Sequence, residues 1–68
     1  MTEQQAREIA LDLARADGRD PDAYEEPTVD REDERWIVFF QGRSLAPGNH
    51  FMVVVDAATG TGRLVAGR

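Results

Sequence analysis

Arg35-Trp36-Ile37-Val38-Phe39-Phe40-Gln41 and His50-Phe51-Met52-Val53-Val54-Val55-Asp56 decide how this chain folds. Both runs are rich in β-branched and aromatic residues, which fit the pleated surface of a sheet better than a helix. Turn formers bound them, Pro47-Gly48-Asn49 between the two and Ala57-Ala58-Thr59-Gly60 after the second. Each therefore reads as a strand, with residues 61–66 forming another. Successive side chains of a strand point to opposite faces. Trp36, Val38 and Phe40 share one face and Ile37 and Phe39 the other; in the next strand Phe51, Val53 and Val55 alternate against Met52 and Val54. A sheet with one wet face alternates apolar with polar. This ribbon is apolar on both faces.

Working outward toward the N-terminus, residues 2–16 supply the one helix available to cover it. Ala6, Ile9, Ala10, Leu13 and Ala16 follow the 3,4 spacing of an apolar stripe, which Leu11 and Ala14 broaden. Thr2 followed by Gln5 fits a capping box, and Asp17-Gly18 predicts a stop with Gly18 in the left-handed conformation. Residues 19–27 form a connector in which Pro21 and Pro27 forbid a regular helix and Tyr24 is the one large apolar group, expected to fasten it to the helix or a sheet edge. Residues 28–30 read as a short first strand, turning through Arg31-Glu32-Asp33-Glu34 into the Trp36 strand. Residues 41–49 form the longer loop. Gly60 is expected at positive φ, in a hairpin with a bulge.

The predicted architecture is α+β: one N-terminal helix packed on a three- to four-stranded antiparallel β-meander, with residues 1–68 as a single small domain. Its expected core is Ile9, Leu13, Trp36, Val38, Phe40, Phe51, Val53, Val55 and Leu64. The uncovered face then carries Ile37, Phe39, Met52, Val54 and Val65. At about 25 cal/mol per Å² and roughly 60 to 100 Å² per side chain, burying that face would contribute about 7 to 12 kcal/mol before association costs. This is comparable to the whole stability of a small domain. These residues are the expected partner-binding surface, for a homodimer or another protein.

Composition narrows the chemistry. The 68 residues hold no cysteine and one histidine, so no disulfide framework, thiolate zinc site or thiol nucleophile is available. No cofactor and no metal is expected. All basic residues are arginine, which removes Schiff-base chemistry and a P-loop lysine. The net charge of -5 argues against binding nucleic acid, which takes a clustered basic face. Charge runs through the first residues, and no stretch is long enough to span a bilayer, so the expected setting is the cytoplasm, with no membrane partner. Residues 20–34 carry eight acids against Arg31 alone. They lack the spacing of an EF-hand loop, read as solvated turn charge, and could steer a basic protein ligand. Gly60-Thr61-Gly62 lacks the third glycine of a phosphate loop. Ser44 and His50 make a hydrolase triad only on paper, without a strand-to-helix nucleophile elbow. A chain this short also offers little room for a substrate pocket, so no catalysis is expected.

Taken together, Trp36-Ile37-Val38-Phe39-Phe40, Pro47-Gly48-Asn49-His50-Phe51 and the hairpin Val55-Asp56-Ala57-Ala58-Thr59-Gly60 resemble PepSY-like domains and the small immunity proteins of bacterial polymorphic toxin systems. The resemblance spans most of the chain. It implies a helix on an antiparallel sheet, no catalysis, and a role in inhibiting or holding another protein; the immunity branch suits a short acidic chain better. The expected function is thus a non-enzymatic protein-interaction module, with a small carrier of a hydrophobic ligand between helix and sheet as the alternative.

Overall fold

The computed structural model describes residues 1–43 and 49–67. The order of elements is a helix α1 (Glu3–Ala16), a single 3-10 turn (Pro21–Ala23), and four strands, β1 (Thr28–Glu32), β2 (Arg35–Gln41), β3 (His50–Asp56) and β4 (Gly62–Ala66). The strands form one antiparallel meander in the order β1-β2-β3-β4. The fold is α+β, one helix on a four-stranded sheet.

Both ends of α1 are set by local chemistry. Thr2 Oγ1 accepts from the Gln5 amide at 3.2 Å while Gln5 Oε1 accepts from the Thr2 amide at 2.8 Å, the reciprocal capping box that satisfies orphan donors. At the far end Gly18 takes φ 81°. Its amide donates to the Arg15 carbonyl at 3.0 Å, and the Arg19 amide donates to the Ala14 carbonyl at 2.9 Å, the paired bonds of a Schellman stop. Asp20 then caps the 3-10 turn by accepting from the Asp22 amide at 3.0 Å.

The sheet's turns are equally local. Glu32 pairs with Arg35, so Asp33 and Glu34 close a two-residue hairpin in which Asp33 sits at φ 53°. Such tight hairpins need positive φ. In the β3–β4 turn Asp56 Oδ1 accepts from the amides of Ala58 at 2.8 Å and Thr59 at 3.1 Å, and Gly60 takes φ 75°. The pairing there runs unbroken from Phe51↔Ala66 to Val55↔Gly62. The expected bulge is there: the Gly60 amide donates to the Asp56 carbonyl at 2.8 Å and the Asp56 amide to the Thr61 carbonyl at 2.8 Å, so Gly60 and Thr61 both stand opposite Asp56 with the glycine left-handed. The first strand runs on to Glu32, longer than expected, because the tight hairpin keeps it in register with β2.

The helix packs across β2, β3 and β4. Beneath it Val38, Phe40, Phe51, Val53 and Val55 are buried, as expected, and the helix meets them with Ala10 and Ala14, while Ala6 is buried on the same side of the helix. That contact corrects the sequence reading at several positions. Residues 6, 10 and 14 lie four apart on one line of the helix, and small side chains there let its axis settle close to the sheet. Ile9 and Leu13 are therefore half-buried flanks of the contact, as are Leu11, Trp36 and Leu64. Ala16, off this line, is exposed. Gly62 in β4 completes the fit: a methyl group on it would run into Leu13 Cδ1 and stand 3.2 Å from Ile9 Cγ2.

The connector closes one end of the core. Tyr24 bridges to Gly42, and the Glu25 amide donates to the Gln41 carbonyl at 2.7 Å. The Tyr24 ring stands edge-on to Phe40 and Phe51, with centroids 6.3 and 5.0 Å away. This is the expected role of Tyr24.

Candidate functional site

The register places four strands' worth of side chains on the face that α1 leaves open. One row across the sheet reads Thr28, Phe39, Met52, Val65, and the next reads Asp30, Ile37, Val54, Arg63. Farther along, Arg35 pairs with Asp56 toward the turns and Gln41 with His50 toward the other end. The expected partner-binding residues Ile37, Phe39, Met52, Val54 and Val65 thus form one contiguous patch. It lies on the opposite side of the sheet from the buried core.

The patch is less exposed than a bare strand would make it. Ile37, Phe39, Met52 and Val54 are half-buried, and only Val65, on edge strand β4, is exposed, at 37%. Neighbours on a pleated surface stand close enough to shade one another. His50 adds to this, its ring tilted against Phe39 with centroids 5.7 Å apart. The area recoverable on docking is correspondingly smaller than full exposure would provide.

Charge frames the patch in an ordered way. Asp30 on β1 and Arg63 on β4 end the same row, both exposed, and among the described residues neither side chain makes an ion pair or hydrogen bond. Sequence reading missed both residues. Their signal was the same period-2 alternation carried into the flanking strands, but it becomes readable only with the register of those strands.

Other candidates sit elsewhere. Trp36 lies on the helix-covered side, half-buried, with the Arg31 guanidinium 4.9 Å from its ring centroid. The acidic segment is threaded with arginines: Glu26 meets Arg7 at 3.2 Å, Glu32 meets Arg35 at 3.4 Å and Glu25 meets Arg43 at 3.9 Å. Exposed pairs of this kind hold little energy. Two shallow, open concavities lie at the turn end, one lined by Asp33, Glu34, Arg35 and Asp56, the other by Arg31, Glu34, Ala57 and Ala58.

For chemistry the arrangement has little to work with. Among the described residues no polar or charged residue is fully buried, and no three His, Asp or Glu side chains cluster as a metal site. Ser44 lies outside the described residues. Arg19 titrates above its ordinary range. The hydrogen bond to the Tyr24 hydroxyl, and then that to Asp17 at 2.8 Å, hold its guanidinium above the ordinary arginine value; it also lies 4.8 Å from the Phe51 ring centroid. That is a structural clamp on the connector. Among the described residues no helix is long and apolar enough to cross a membrane. Compared with known proteins, the chain matches no family model, no curated protein and no solved structure.

Proposed function

We propose that this chain is a cytoplasmic, non-enzymatic protein-interaction module, of the kind that inhibits or holds another protein, and that it works through the open face of its sheet. One observation carries the reading: Ile37, Phe39, Met52, Val54 and Val65 make a contiguous apolar patch with charged residues at its ends, on the side opposite the core. A contiguous apolar patch with a polar rim is the usual anatomy of a binding surface. The immunity-type role follows from the resemblance of its strand and hairpin motifs, and remains a proposal on that basis. The carrier alternative draws less support, since Phe40 and Phe51 stack at 4.4 Å and fill the space beneath the helix.

Site-specific photo-crosslinking in cells tests the reading. A photo-crosslinking amino acid at Met52, in the patch, is compared with one at Glu8, exposed on the helix. A discrete product from Met52, identified by mass and missing from Glu8, is the expected result. Equal, diffuse labelling from both positions would remove the open face as an interaction surface.

A further inference from the structure

We infer that the occupant of the open face is a second copy of this chain, docked about a two-fold axis running along the strands. The inference rests on the open face being the interaction surface, and it adds the partner and its orientation.

A two-fold that presses one sheet face onto its copy must lie in the plane between them. If it runs along the strands, midway between β2 and β3, it reverses strand order and keeps each cross-strand row opposite itself. β1 then faces the partner's β4, and β2 faces the partner's β3. In the row Asp30, Ile37, Val54, Arg63 each side chain meets its complement: Asp30 meets the partner's Arg63, and Ile37 meets the partner's Val54. In the row Thr28, Phe39, Met52, Val65, Phe39 meets the partner's Met52. Toward the turns Arg35 comes over the partner's Asp56. An axis across the strands has no such property. Through the same row it sets Asp30 on the partner's Asp30 and Arg63 on the partner's Arg63, and Arg35 on the partner's Phe39.

Within one chain Asp30 and Arg63 stand three strand spacings apart, roughly 14 Å, too far to pair. Facing sheets pack about 10 Å apart with strands crossing at about 30°. That offsets the ends of matched rows by a few ångströms, which arginine's long side chain spans. The arrangement therefore employs two charges, Asp30 and Arg63, that have no ion-pair or hydrogen-bond partner among the described residues. It also avoids the like-charge contacts of an across-strand axis through that row. The footprint, about 19 Å by 17 Å from strand spacing and rise, is below the roughly 800 Å² per partner of a standard interface. A reversible dimer of micromolar affinity is expected.

Sedimentation velocity of the full chain, from about 5 to about 500 µM at low salt, reads this out. Asp30→Arg and Arg63→Asp should each weaken self-association at least tenfold, and the double variant should restore it. Mixing the two single variants should produce a heterodimer tighter than either homodimer, because each then faces its opposite charge at both row ends. A wild-type chain monomeric at about 500 µM would overturn the dimer; a Met52 crosslink to a different protein would then still sustain the interaction reading. A dimer indifferent to both single variants, without heterodimer preference, would overturn this orientation.

Discussion

Phe40 and Phe51 lie face to face across β2 and β3, ring centroids 4.4 Å apart with 7° between their planes. Both are buried, and Tyr24 stands edge-on to each, so this aromatic group joins sheet and connector. Removing one ring leaves a cavity that rigid strands cannot close. Phe51→Ala should cost about 3 to 5 kcal/mol, against a total stability of roughly 3 to 10 kcal/mol for a domain this size. Urea unfolding should find the Phe51→Ala midpoint far below that of wild type, and that of Phe51→Leu between the two.

Ala10 is fully buried between the helix and the sheet while Ala16 is exposed, although both are alanines placed on one stripe by their spacing. Enlarging Ala10 to leucine drives the helix off the sheet and should destabilise by about 1 to 3 kcal/mol. Ala16→Leu should stay within about 0.5 kcal/mol of wild type. Thermal melts of the pair distinguish the two positions.

Val53 and Val54 are neighbours in β3 on opposite faces, one buried and one half-buried. Val53→Thr places a hydroxyl in the core without a partner and should cost about 2 kcal/mol. Val54→Thr keeps a β-branched residue near water and should cost under about 1 kcal/mol at low protein concentration. Equal losses would place both faces inside the molecule.

Asp33 and Gly60 hold the left-handed backbone of the β1–β2 and β3–β4 hairpins. At Gly60 an added Cβ meets only Met1 Cε, at 3.6 Å, so Gly60→Ala tests backbone strain alone and should cost about 1 to 2 kcal/mol. Asp33→Asn should stabilise by about 0.5 kcal/mol, since asparagine tolerates that conformation better in a tight hairpin. Denaturant midpoints with unchanged slope would confirm both.

Arg19 over Phe51 contributes through the ring contact and through its bonds to the Tyr24 hydroxyl and Asp17. Its titration is raised in the folded state. A raised value gives a contribution that is present below the unfolded-state value and lost only as pH climbs through the folded one, in extreme alkali. Arg19→Met should therefore lose about 1 kcal/mol, by the same amount at about pH 6 and about pH 9.

Much of the fold was legible because its signals are local. The alternation in residues 35–41 and 50–56, the Thr2–Gln5 cap and the left-handed Gly18 and Gly60 depend only on a few neighbouring residues. The open-face patch was legible for the same reason, once the strands were recognised. Asp30 and Arg63 were not. Their alignment depends on β1 pairing with β2 and β4 with β3, and no short window of sequence contains that information.

By itself the sequence determined the elements, their turns and the two-sided character of the sheet, since each follows from period-2 alternation and turn chemistry within a few residues. Tertiary structure decided which alanines meet the sheet, why Ile9 and Leu13 flank that contact, and which charges end the same row. Those outcomes depend on the rotation of one helix and the register of distant strands, set by packing across the whole chain.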